Sequence, residues 1–309
     1  MKILRNKTSR PTPPADLNGS DPVREGLVVA HHGVAVEVLF DDGERRLVRV
    51  KRSSGHVVGD AVLVTGEVLK RLPRRTELNR RDARGGIHLV AANLDLLGIV
   101  VAPQSPLGFV DRAIVAARVA ELRPFVVVNK CDLPETQGLL ADLETIYAGT
   151  IPLFPVSAVE RRGLDALLAF FSGGHRGAFV GSTGVGKSSL LNALCPDIEL
   201  KVGAVSDYKS MGRHTTVVST LHTLPGGGEL IDTPGFRDFG LVAIAAEDLS
   251  LHFPGLEARG ETVCRFRNCR HRTEPRCAVI AGVEEGRIAQ ERYATYLELL
   301  DEIESGDAA

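Results

Sequence analysis

A glycine-rich octapeptide limits what this chain can fold into more than any other stretch. Gly181-Ser182-Thr183-Gly184-Val185-Gly186-Lys187-Ser188 fits the pattern GxxxxGK[ST] and is followed by Ser189. It lies between an apolar run at residues 177–180 and a helical pattern that continues through Leu194. Glycines let consecutive backbone N–H groups curl round an oxyanion, and a helix N-terminus adds partial positive charge. Such a loop needs a strand feeding directly into a helix, so it predicts α/β architecture as well as a phosphate ligand. Lys187 is expected to reach the β- and γ-phosphates of a nucleoside triphosphate, and the Ser188 hydroxyl to hold Mg²⁺.

The rest of the middle of the chain keeps that rhythm. Strands are predicted at residues 94–102, 124–129, 151–156, 177–180, 217–224 and 229–231, with helices at 109–122, 135–147 and 164–171 between them. Strands alternating with helices mean a mostly parallel sheet with covered faces. Residues 25–69 read differently, as short strands with Asp42-Gly43 as a hairpin turn, which suggests a small β-barrel of OB or SH3-like type. The Arg-rich stretch 70–81 reads as a linker, and the tail from residue 246 as helical on both sides of a cysteine cluster. The expected division is a flexible basic leader at 1–21, a barrel at 22–72, an α/β domain at 73–242 and a helical metal-binding domain at 243–309.

Composition narrows the function classes. The 309 residues are 44% hydrophobic and 25% charged, which excludes a fibre or a largely disordered chain. No run of 18 apolar residues occurs, so no membrane span is expected, and the first twenty residues lack the apolar stretch of a signal peptide. A cytoplasmic protein is the expectation. Residues 1–81 hold sixteen Lys/Arg against ten Asp/Glu within a whole-chain net charge of −2. That basic front end suits a phosphate-rich partner, although a solvated surface would look the same.

Asn129-Lys130-Cys131-Asp132 ends the strand at 124–129 and specifies the base. An aspartate there accepts both the N1–H and the 2-amino protons of guanine, whereas adenine would leave a buried carboxylate unpaired. Asn129 is expected to tie the loops together, and the Lys130 stem to lie on the base. Ser157-Ala158 closes the next strand and could place an N–H on the guanine carbonyl. Asp232-Thr233-Pro234-Gly235 follows the last strand; the carboxylate is expected to bind Mg²⁺ and the Gly235 N–H to meet the γ-phosphate. In Gly212-Arg213-His214-Thr215-Thr216, either Thr215 or Thr216 could complete the Mg²⁺ shell. These are the motifs of a regulatory GTPase in a permuted order, with the base-specific motif ahead of the phosphate loop. Cutting one distal connection and joining the old termini leaves the ligand-binding sheet edge intact.

The five cysteines are an odd number in a chain without an export signal, which argues against a disulfide framework. Cys264, Cys269, His271 and Cys277 form instead a closed Cys₃His set, the composition of structural zinc. Arg259, Arg265, Arg267, Arg270, Arg272 and Arg276 surround it, against Glu261 and Glu274, so RNA backbone contact is plausible.

From residue 26 to residue 302 the sequence resembles the family of ribosome small-subunit-dependent GTPase A proteins (RsgA), which are circularly permuted GTPases. The barrel, the motif order, GRHTT, DTPGFRDFG and CRFRNCRHRTEPRCAV carry the resemblance. It implies an N-terminal OB-fold, a central P-loop GTPase domain and a C-terminal zinc domain. It also implies a late assembly factor of the small (30S) subunit that touches 16S rRNA, hydrolyses GTP under stimulation by that subunit and is released after hydrolysis. A monomer is expected. The residue after DTPG is Phe236, where many GTPases carry the glutamine that orients the attacking water. A phenyl ring cannot do this, and His214 is the candidate replacement. Two other readings fit the same motifs: an RNA-binding assembly scaffold in which turnover is incidental, and a permuted GTPase acting on another ribosomal particle.

Overall fold

The computed structural model describes residues 22–81, 86–196, 219–233, 244–256 and 264–305. The predicted leader at 1–21 lies outside them.

Five strands build the N-terminal barrel: β1 (Arg24–His31), β2 (Ala35–Phe40), β3 (Arg45–Arg49), β4 (Ala61–Thr65) and β5 (Val68–Arg71). All pairings are antiparallel, β1 with β2 and β4, β2 with β3, and β4 with β5, as in a partly open OB barrel. Inward positions carry Val28, Val36, Val38, Phe40, Val48, Val62 and Val64, the alternation that a half-buried sheet requires. The Asp42-Gly43 turn stands between β2 and β3, with Gly43 at φ +85° where a side chain would be strained.

The Arg-rich stretch is not a linker. Its first residues, Lys70 and Arg71, belong to β5, and its last five form β6 (Glu77–Arg81), which pairs with β7 (Ile87–Ala92) as a separate two-stranded ribbon. Leu78 is buried in β6, while Glu77 and Arg80 are exposed, so one inward residue and several charges left almost no hydrophobic period to read.

The α/β part then runs β8 (Leu96–Val101), α1 (Leu107–Val119), β9 (Arg123–Val128), α2 (Thr136–Tyr147), β10 (Leu153–Pro155), α3 (Leu164–Phe171), β11 (Arg176–Val180), α4 (Lys187–Leu194), β12 (Ser219–Thr223) and β13 (Glu229–Asp232). In the sheet the order is β10-β9-β8-β11-β13-β12-β1-β2-β3. The first five are mutually parallel, while β12 is antiparallel to β13 and also pairs with β1 of the barrel. All six residues of β8, LLGIVV, are buried because helices cover both faces. Leu97, Ile99 and Val101 face α1 and α2, and Leu96 and Val100 face α3 and α4. Each such apolar side chain contributes about 1.5–3 kcal/mol by leaving water.

The C-terminal module holds α5 (Leu249–His252), α6 (Ala278–Glu284) and α7 (Gln290–Glu304). Phe253, Tyr296, Leu299 and Leu300 pack with Val115 of α1 and with three cysteines in one cluster. No helix among the described residues is long and apolar enough to cross a membrane.

Candidate functional site

Because β8, β9, β10, β11 and β13 run parallel, their carboxyl ends open on one edge, and the segments at 129–132, 157–158, 181–189 and 232–233 all lie along it. Asn129, 2% exposed, joins three of them. Its Nδ2 donates to the Val185 carbonyl at 2.9 Å, and its Oδ1 accepts from the Ala158 N–H at 3.2 Å. Gly186 stands at φ +95°, and a Cβ there would lie 2.4 Å from Asn129 Nδ2. Both the backbone and the neighbouring amide therefore demand glycine at this position.

The phosphate loop leads into α4 with Lys187 as its first residue, so the free N–H groups of the first turn face the loop. The Lys187 ammonium lies along the loop, donating to the carbonyls of Gly181 at 2.5 Å and Ser182 at 3.1 Å. Thr183, Gly184 and Ser188 are exposed, Ser182 and Ser189 half-buried, and Val185 buried. Burial pushes the Asp232 carboxyl above its ordinary range, and the Lys187 ammonium pulls it back. A desolvated carboxylate beside a phosphate loop is suited to a divalent cation.

In the 129–132 loop Lys130 adopts φ +65°, and its carbonyl accepts from the Thr136 hydroxyl at the start of α2, at 2.7 Å. The Ser157 hydroxyl donates to Asp132 Oδ1 and, with other hydrogen bonds, holds that carboxyl below its usual range. The carboxylate is thus aimed, ionised and only half-buried. Cys131 turns its thiol back toward the Val128 carbonyl at 3.2 Å, and burial pushes that thiol up. It is a strut of the loop, not a reactive thiolate. The Thr136 contact was not foreseen; a threonine opening the helix after such a motif is a weak signal. His214, Thr215, Thr216 and Gly235 lie outside the described residues.

In the C-terminal module Cys264, Cys269, His271 and Cys277 bring their ligand atoms within 4.8 Å of one another. Cys264 Sγ is 3.8 Å from Cys277 Sγ and 3.5 Å from His271 Nδ1, which is 3.3 Å from Cys277 Sγ. Tetrahedral coordination at metal–ligand distances of about 2.3 Å to sulfur and about 2.0 Å to nitrogen places sulfur–sulfur edges near ~3.8 Å and sulfur–nitrogen edges near ~3.5 Å. These residues fit a metal ion. Burial pushes the Cys269 thiol up to about 12, a penalty that a bound cation reverses. The backbone supports the sulfurs as well: Ala278 N–H points at Cys264 Sγ, and Ile280 N–H at Cys277 Sγ. Glu274 gathers the N–H groups of Arg270, Arg272 and Thr273, a role that spacing alone did not reveal. Of the surrounding arginines, Arg270 and Arg272 are ion-paired to α7, while Arg265, Arg267 and Arg276 are exposed, and Arg259 lies outside the described residues.

Residues 71–242 match the RsgA GTPase family. The small ribosomal subunit biogenesis GTPase RsgA of Azotobacter vinelandii is 42% identical over 305 residues, covering 92% of this chain and 88% of the relative. The chain belongs to the RsgA GTPase family. A second RsgA, from Pseudomonas fluorescens, is 41% identical over 302 residues with the same coverage of 92% and 88%. Among solved structures, that of YjeQ from Thermotoga maritima superposes with a TM-score of 0.72 at 30% identity, covering 91% of this chain and 99% of the other. YloQ, described as a circularly permuted GTPase, does so with a TM-score of 0.67 at 25% identity, over 94% and 98%. Membership of this family of permuted GTPases accounts for a 129–132 loop that precedes the 181–189 loop in the chain yet meets it in space.

Proposed function

We propose that this chain is a GTP-hydrolysing factor of small ribosomal subunit biogenesis, binding GTP with Mg²⁺ at the sheet edge and carrying one structural Zn²⁺. The observation that carries the reading is the double hydrogen bond of Asn129, which fastens a guanine-type loop to a phosphate loop and to Ala158. One ligand with a guanine at one end and a triphosphate at the other spans those loops. Asp132, oriented by Ser157, accepts the guanine N1–H and 2-amino protons, and the Lys130 stem covers the ring. The N–H groups of residues 181–189 and the Lys187 ammonium take the phosphates, exchanging loop carbonyls for charged oxygens. Ser188, Asp232 and one of Thr215 and Thr216 serve Mg²⁺, Gly235 senses the γ-phosphate, and His214 orients the attacking water.

Zinc is the ion that best suits three thiolates and one imidazole with no open position, and it keeps the small module folded. The exposed Arg265, Arg267 and Arg276, with the basic excess of residues 1–81, supply an rRNA-facing surface. The working division is 1–21 leader, 22–72 barrel, 73–242 GTPase domain and 243–309 zinc domain, and the start of the family match at residue 71 supports the second boundary. We take the chain to act as a monomer in the cytoplasm. Co-sedimentation with separated 30S and 50S particles in a non-hydrolysable GTP analogue tests the reading. Binding to 30S alone is expected; binding to 50S, or to neither, overturns it.

A further inference from the structure

A buried ionic cluster between α1, α2 and α7 serves none of the chemistry above. Asp111 of α1 is 0% exposed and Tyr147, the last residue of α2, is 1% exposed. The Tyr147 hydroxyl donates to Asp111 Oδ1 at 2.7 Å. Arg292 of α7 donates to both oxygens of the same carboxylate, from Nε at 3.0 Å and from Nη2 at 2.8 Å. Its guanidinium also reaches the Pro254 carbonyl and lies over the rings of Tyr147 and Phe253, at 5.3 and 5.5 Å from their centroids. One side chain of the metal-bearing module is thus locked to two helices of the α/β part. A buried ion pair with its hydrogen bonds satisfied has few alternative arrangements, so its members move together.

The partner at the far end of α2 is the base-specific loop. Thr136 opens that helix and donates to the Lys130 carbonyl. The helix from Thr136 to Tyr147 has twelve residues, a rod about 16 Å long. Arg292, Asp111, Tyr147, α2, Thr136 and Lys130 therefore form one contiguous chain of contacts from the Cys₃His module to the loop at 129–132.

We infer that Arg292 is a positioning residue that couples occupancy of the 129–132 loop to the metal-bearing module, acting through Asp111, Tyr147 and α2. The inference rests on the reading of that loop as the guanine site. Ordering of the loop by nucleotide fixes the Lys130 carbonyl, hence the start of α2, hence the Tyr147 end against which Arg292 is seated. By linkage the effect is reciprocal: a particle that engages the metal-bearing module alters the hold on guanine.

Hydrogen–deuterium exchange of the full metal-loaded chain, with and without GDP and Mg²⁺, tests this. In the wild type GDP is expected to slow exchange at residues 290–304 by about fivefold, the lower end of usual coupling, besides protecting residues 181–195. Tyr147→Phe removes one oxygen and leaves Arg292 its carboxylate, so folding is preserved; it is expected to cut the distant protection at least in half while leaving that of the phosphate loop. Arg292→Met is expected to abolish it. A merely structural role would raise exchange equally with and without GDP and leave the difference intact. Protection of 181–195 without any at 290–304, or an undiminished difference in Tyr147→Phe, overturns the coupling. Absence of protection at both places overturns the nucleotide-site reading itself.

Discussion

Asn129→Ala deletes one side chain and leaves two buried partners unpaired, the Val185 carbonyl and the Ala158 N–H. A buried polar group that loses its partner costs about 1–3 kcal/mol, so the pair amounts to about 2–4 kcal/mol once a water takes up part of the hole. In the nucleotide-free chain the loops can relax to expose these groups. Closing them around a ligand removes that escape, so the penalty falls on binding. At 1.4 kcal/mol per decade the affinity for GDP drops about 30- to 700-fold. Gly186→Ala attacks the same bond from the other side, because its Cβ would sit 2.4 Å from Asn129 Nδ2. It also bears about 1 kcal/mol of left-handed backbone strain. The two defects share one interaction, so in the double variant they should fall short of additivity by at least about 1 kcal/mol. Titration with a fluorescent GDP derivative reads all four proteins. Asn129→Ala binding within threefold of wild type, or strict additivity, refutes the bridging role.

Asp232 tests the cation side. Burial raises its pKa in the fold, so the ionised form destabilises the chain fully at pH well above that value, and the penalty fades as pH falls through it. Asp232→Asn should therefore raise the Tm of the nucleotide-free chain at pH 8, with the gain shrinking on acidification, while Mg²⁺ no longer tightens GTP binding; a lower Tm at pH 8 contradicts this. Cys269→Ser should empty the metal site, seen as zinc content by elemental analysis. It should also loosen residues 264–305 and, because Arg292 lies in that segment, weaken GTP binding by no more than about fivefold. His214→Ala should lower subunit-stimulated turnover by about 10²- to 10⁴-fold with GTP affinity retained, and unchanged stimulated turnover removes the assignment.

What could be read from the sequence was whatever chemistry is local. The phosphate loop, Asn129 to Asp132 and the four metal ligands each occupy a short segment whose residue types state a ligand. The strands leading into the two loops are apolar enough to place, as RPFVVV of β9 shows. Residues 70–81 were opaque for the opposite reason: in a two-stranded ribbon with one buried leucine, propensity and charge drown the pattern. Asp111 and Arg292 were invisible because 181 positions separate them, and only tertiary packing makes a lone arginine on an acidic helix into a buried partner. The pairing of β12 with β1, which joins barrel and GTPase sheets into one, left no trace in either strand's composition.

The central claim is that small subunits turn on hydrolysis at this site, and steady-state release of phosphate from GTP measures it directly. The chain alone should turn over on the order of 10⁻⁴ to 10⁻² per second. Adding purified small subunits should raise that rate at least about tenfold, in a saturable manner and with no matching turnover of ATP. Equal rates with small and large subunits, or ATP hydrolysed as fast as GTP, would contradict the account.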